Sequence, residues 1–178
     1  MKFLIVPLLF LLALPVMAQQ SNTIAVIDAQ KVVRNSEMGK KALADIQALK
    51  DKKQKEIDQR QANIQAMQDK LEKQKDILSA DAREKLAIDV QKGITDLRRF
   101  KEDSENEIQD KLGKAIKSIE DRVLPIIQKL GEEKGYAVII QREQLIYYNG
   151  KNDITDEVIR LFNDAIARGA APAAPTKP

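Results

Sequence analysis

The 178-residue chain has no cysteine, no histidine and no tryptophan, and aromatic residues make up only 4% of it. Without cysteine there are neither disulfide staples nor thiol nucleophiles, so the fold must be held by packing. Without cysteine and histidine, zinc and haem sites of the usual kinds are excluded, and a metal could be held only by oxygen ligands. Glycine is scarce, with 7 in the chain, and none forms a phosphate-cradling loop after a strand; a nucleophile elbow is also missing. No catalytic residue, metal ligand or cofactor is therefore assigned, and the chain reads as a protein that is not an enzyme. A large excess of one charge is lacking too. The 30 Lys and Arg face 27 Asp and Glu, a mild imbalance that does not mark a nucleic-acid partner.

What is present begins with a processing signal. Lys2 is followed by an apolar run from Phe3 to Val16, and Val16, Met17 and Ala18 place small or apolar residues at the usual cleavage positions. That run is shorter than the roughly 20 residues that span a bilayer. Residues 1–18 are read as a cleaved secretory signal, with the mature chain starting near Gln19 and lying outside the cytoplasm. Charged residues make up 32% of the chain, a composition that leans towards long helices or a coiled coil.

Three zones follow. In "TIAVIDAQKVV" the run Ile24, Ala25, Val26 and Ile27 reads as a buried strand ending at Asp28, which is placed to cap a helical turn from Ala29. From about Glu37 to Leu130 helix formers dominate. Leu43, Ile57, Ile64, Leu71 and Leu78 share one heptad position, interrupted by Lys50, whereas the companion position reads Ile46, Lys53, Arg60, Met67 and Gln74. A strong two-stranded zipper keeps both positions apolar, so this seam is half-built. At "ILSADAREKL" the pattern breaks, and Ser79 or Asp81 can cap a second helix. The expectation is a helical hairpin over 37–130 with its tip near 79–82. The returning half carries Leu86, Val90, Ile94, Leu97 and Phe100, then Ile116, Ile119, Val123, Ile126 and Leu130, so burial should deepen towards its end.

The third zone, 131–168, opens with Gly131 and Gly135, both expected to end the helix. "YAVII" and "LIYY" read as strands joined by "QREQ", and Thr155 as the cap of a last helix with an apolar face of Ile154, Val158, Leu161, Phe162, Ala165 and Ile166. Residues 169–178, "GAAPAAPTKP", read as a disordered tail. The fold class is thus α+β: a long antiparallel helical hairpin, a coiled-coil arm, projecting from a small sheet built by 19–36 and 131–168. A helix from Glu37 to Leu78 would extend about 63 Å at 1.5 Å per residue, too long for a compact domain of this mass. Three short strands and one helix make a thin core, which neighbouring subunits could complete.

Other candidate features have plainer readings. The pair Asp28 and Asp153 could serve acid-base chemistry, but caps and turns use aspartate in the same way. "KDKKQK" at 50–55 could meet phosphates or acidic lipid, or simply be a solvated helix face. Tyr147 and Tyr148 could be a platform, or strand residues in the sheet.

The residues "IAVIDAQKVVRNSEMGKKAL", the charged hairpin of about a hundred residues and "GEEKGYAVIIQREQLIYYNGKNDITDEVIRLFN" together resemble the Skp (OmpH-like) family of periplasmic chaperones, over about 23–166. The two flanking segments are the specific part. The resemblance implies a homotrimer with a shared β body, from which helical arms surround a cavity. It also implies an ATP-independent holdase in the periplasm whose partners are unfolded outer-membrane proteins, with transient contact at a membrane surface and no nucleic acid. Residues 37–117 hold 19 basic and 17 acidic residues, which departs from the strongly basic character of that family. On this reading Ile24, Val26, Val138, Ile140, Ile146 and Tyr147 build the sheet and trimer body. Ile57, Ile64, Met67, Leu71, Leu78, Leu86 and Val90 contact the client, although some of them must instead join the two helices. The alternative is a structural coiled-coil protein of the cell envelope that holds no client.

Overall fold

A computed structural model describes residues 23–74 and 76–169. The expected signal at 1–18 and nearly all of the expected tail lie outside the described residues. The chain runs β1 (Thr23–Ile27), α1 (Ala29–Asn35), α2 (Glu37–Lys73), α3 (Ala80–Lys134), β2 (Tyr136–Gln141), a 3-10 turn (Arg142–Gln144) and α4 (Thr155–Ala167).

Local capping fixes the first corner. Asp28 is extended, and its Oδ1 accepts from the backbone N–H of Lys31 at 2.6 Å, which starts α1. Ser36 then ends α1 and begins α2, its Oγ accepting from the N–H of Gly39 at 3.1 Å. The corner is so tight that a Cβ on Gly39 would lie 1.6 Å from the Val33 carbonyl oxygen. Only glycine fits there.

The arm consists of α2 and the first two-thirds of α3. At 37 residues α2 is about 55 Å long, and it packs against α3 along most of its length. The helix α2 ends at Lys73 and α3 begins at Ala80. Ser79, and not Asp81, caps α3, its Oγ accepting from the N–H of Ala82 at 3.2 Å. The other end of α3 runs past Gly131, which was expected to stop it. A Cβ on Gly131 would meet Ile139 Cδ1 at 3.2 Å, so the bare position lets β2 lie close to the helix. Gly135, at φ 67°, is the residue that ends α3.

In the body β1 and β2 pair in parallel, with Ile24 opposite Val138 and Val26 opposite Ile140. The opposite face of β1, carrying Ala25 and Ile27, packs onto Val32, Ile119, Val123, Leu130, Ile154, Val158 and Phe162. Phe162 and Val158 are completely buried, so the amphipathic face expected of α4 is the centre of the core. Burial along α3 does deepen towards this end, with Ile119, Val123 and Leu130 all in the core.

The expected third strand at 145–148 does not form. β1 has two edges; β2 takes one, and Asn152–Ile154 takes the other, with Val26 N–H donating to the Asn152 carbonyl at 3.0 Å and Ile154 N–H to the Val26 carbonyl at 2.9 Å. Both edges of β1 are thus taken, and the 3-10 turn at Arg142–Gln144 replaces the expected hairpin, so 145–148 does not return onto the remaining edge of β2. Thr155 also differs from expectation: it is the first residue of α4, and its Oγ1 accepts from the backbone N–H of Asp28 at 2.9 Å.

Candidate functional site

The seam of the arm separates the expected client residues into two groups. Ile64 and Val90 are buried between the helices. Gly93 on α3 faces Ile64, where a Cβ would come 3.1 Å from Ile64 Cγ1 and 3.6 Å from Met67 Cε, so the helices approach closely at this point. Ile57, Met67, Leu71, Leu78 and Leu86 are half-buried and keep part of their surface in water. Two residues that the heptad reading missed are more exposed than any of these: Ile77 at the turn (83%) and Ile88 on α3 (60%). Ile88 stands out of phase with Leu86 and Val90, between Lys85 and Asp89, and that phase error was the available signal. Ile94, assigned to the seam by spacing, is also exposed.

The polar companion position has a partner. Phe100 on α3 lies beneath two cations of α2, with the Arg60 guanidinium 4.3 Å and the Lys53 ammonium 5.2 Å from its ring centroid. Lys53 also bridges to Glu107 across the seam at 2.8 Å, and Arg60 is held by Glu56 at 2.6 Å. The Lys53 hydrogen bond holds the Glu107 carboxyl below the ordinary carboxylate value, with Lys111 assisting. A groove of about 620 Å³ beside this layer is lined by Lys50, Lys53, Gln54 and Ile57 from α2 and by Lys101, Ser104 and Ile108 from α3. Part of the "KDKKQK" stretch is therefore interhelical structure and not a free basic patch.

At the root of the arm a second groove, about 650 Å³, is lined mainly by apolar residues, among them Val33, Leu43, Leu112, Ile116, Leu124 and Ile127. The body presents further apolar surface. Val26 is buried and Ile140 half-buried, whereas Ile24, Val138, Ile146 and Tyr147 are exposed, Ile146 fully so. Among these, Ile146 and Tyr147 stand on the connection between the 3-10 turn and α4, away from the sheet they were expected to join.

Asp28 and Asp153 are both committed to holding that connection. Asp28 Oδ2 accepts from Arg142 Nη1 at 3.1 Å, the Arg142 guanidinium lies 5.7 Å from the centre of the Tyr148 ring, and Tyr148 Oη donates to Asp153 Oδ2 at 3.0 Å. Asp153 Oδ1 accepts from the N–H of Thr155 at 2.9 Å. Partial burial pushes the Asp153 carboxyl up, but hydrogen bonds from Thr155 and Tyr148 and the charge of Lys31 outweigh it and hold the group below its ordinary value. The same bond from Tyr148 to Asp153 raises the phenol. Neither carboxylate is placed as a free acid or base. Among the described residues no group of three or more acidic side chains is arranged to hold a metal, and no helix is long and apolar enough to cross a membrane.

An arm with a half-built seam on a small α/β body is the architecture against which known proteins can be set. The family model for outer membrane protein (OmpH-like) matches residues 23–162. The chain belongs to the OmpH-like family. A crystal structure of a Caulobacter crescentus protein, described there as OmpH-like and a candidate outer membrane chaperone, has the same fold, with a TM-score of 0.73 at 20% identity over 79% of this chain and 83% of that one. An uncharacterized protein of Aquifex aeolicus is 26% identical over 136 residues, 76% of this chain and 83% of its own length. Family membership supports a chaperone-type role for this OmpH-like chain, in a family that is periplasmic and without enzymatic activity in general.

Proposed function

We propose that this OmpH-like protein is an ATP-independent periplasmic holdase that takes unfolded outer-membrane proteins between the arms of a homotrimer and keeps them from aggregating. The observation that carries the reading is the arm itself, where half-buried Ile57, Met67, Leu71, Leu78 and Leu86 and exposed Ile77 and Ile88 stand among alternating charges. An unfolded barrel strand alternates apolar and polar residues. Separated apolar points on a long arm suit it better than one deep pocket, and many weak contacts give useful total affinity. Ile64 and Val90 serve the arm and not the client.

Assembly is supported by self-complementary features. Among the described residues β2 pairs with β1 alone, which leaves its far edge open. Among the described residues Ile146, Tyr147 and Tyr148 make no backbone–backbone hydrogen bond, and Leu145 beside them is extended. An open strand edge and an unpaired strand-like stretch that do not meet within one subunit can meet between subunits, and three head-to-tail contacts close a ring. The exposed Ile24 and Val138 lie on the same body.

The test is light scattering of an unfolded membrane β-barrel diluted from urea without nucleotide. One trimer per client should suppress aggregation, and the double variant Ile77→Ser, Ile88→Ser should suppress it several-fold less while its helicity and unfolding midpoint stay unchanged. Equal protection by the variant would remove these residues from the client surface. No protection by the wild type would favour a purely structural coiled coil.

A further inference from the structure

The circuit of polar contacts around Asp28 is closed, and its position is unusual. Going round it, Asp28 meets Arg142, Arg142 covers Tyr148, Tyr148 bonds Asp153, Asp153 bonds Thr155, and the Thr155 hydroxyl returns to the backbone of Asp28. These five residues come from the end of β1, the 3-10 turn, the following connection and the start of α4. Ile146 and Tyr147 lie in the chain between Arg142 and Tyr148, and both point into water. A loose connection would relieve that exposure by folding its Ile and Tyr onto the apolar outer face of its own sheet, at Ile24 and Val138. Two anchors flanking them, Arg142 on Asp28 and Tyr148 on Asp153, prevent it.

We propose that this ring is a clasp that holds Ile146 and Tyr147 outward for a second copy of the chain, with Arg142 and Tyr148 as positioning residues for assembly. The proposal rests on the reading above that the stretch around Ile146 meets a neighbouring subunit. A second copy is the occupant because each chain carries both an open β2 edge and the unpaired backbone of 146–148, and the two do not meet within one chain. Arg142 and Tyr148 would touch no partner group themselves; they act through the two residues between them.

Sedimentation equilibrium of the full mature chain tests this with three variants. Arg142→Gln removes the guanidinium charge, Tyr148→Phe keeps the ring and removes only its hydrogen bond, and the double variant Ile146→Ser, Tyr147→Ser removes the presented side chains. Each should weaken self-association at least tenfold while far-UV helicity is unchanged. Because the clasp works through the presented pair, Arg142→Gln should add less than twofold in the Ile146→Ser, Tyr147→Ser background. If the serine variant dissociates but Arg142→Gln and Tyr148→Phe remain trimeric, the clasp is refuted and the subunit contact survives. Full additivity of Arg142→Gln with the serine changes also refutes it, since the arginine would then act elsewhere. If the serine variant stays trimeric but captures less client, the occupant is the client, and both the clasp and the underlying contact reading fail.

Discussion

At Gly39 a single hydrogen atom decides whether the corner between α1 and α2 can close. Alanine is the better helix former by about 1 kcal/mol, yet its Cβ would overlap the Val33 carbonyl oxygen, and overpacking of this kind costs about 1–3 kcal/mol or more. Gly39→Ala should therefore lower the thermal midpoint by several degrees. Gly113→Ala, in the open middle of α3 where a Cβ meets nothing within 4 Å, should raise stability by up to about 1 kcal/mol. Calorimetry of the two variants checks the contrast, and a shift of the same sign for both would contradict it. The Tyr148–Asp153 bond gives a second prediction at this scale. Asp153 has a lowered value in the fold, so its contribution is complete above the ordinary 3.8 and is lost as pH falls through the folded value. Tyr148 has a raised value, so its contribution is complete below the ordinary 10.0 and is lost as pH rises through the folded one. The Tyr148 ring signals in an NMR titration should stay constant between these limits, in the presence of the neighbouring charges of Lys31, Arg142 and Asp28. An Asp153 midpoint at or above 3.8 would contradict the set of hydrogen bonds from Thr155 and Tyr148 that outweighs its burial.

Among the elements, the arm is the one whose sequence was easiest to read and whose contacts were hardest. Its two helices followed from the long run of helix formers, and the half-built seam from the heptad phase of Ile57, Ile64, Leu71 and Leu78. The role of Lys53 and Arg60 was not legible, because a cation at a seam position has meaning only once the single aromatic of the opposite helix, Phe100, is known to lie under it. Heptad phase likewise treats Ile64 and Leu71 alike, although Gly93 gives Ile64 a close partner and Leu71 has part of its surface in water. Surface ion pairs along the arm each contribute little, on the order of 0–1 kcal/mol, so the close contact at Gly93 and the Phe100 layer set the register. Gly93→Val should force Ile64 aside and cost about 1–3 kcal/mol. Phe100→Leu, which keeps bulk and removes the ring, should cost about 0.5–1 kcal/mol through the lost cation contacts. Amide hydrogen exchange should place both losses in 50–70 and 85–107 and leave the body around Phe162 protected. Faster exchange spread equally over the body would mean that arm and body unfold as one unit.

For the whole molecule, the division into arm and body was visible from composition, since a helix of such length has no place inside a domain of this mass. The body was only partly visible. β1, β2 and the amphipathic face of α4 followed from apolar runs and spacing. The third strand failed because Asn152–Ile154 takes the second edge of β1 and, after the 3-10 turn, Leu145–Tyr148 does not return to the edge of β2, a fact of topology that local pattern does not contain. That misplacement bears on function: the segment that looks like a strand and is unpaired is a segment suited to another chain. Thin arms with separated apolar points and a body with an open edge belong to one account, in which assembly creates the space and the arms hold the guest. Sedimentation velocity with and without an unfolded membrane β-barrel, in the absence of nucleotide, tests both parts in one measurement. The account predicts a species of three chains that takes up the unfolded barrel and remains soluble. A single-chain species that leaves the barrel to pellet alone would contradict it.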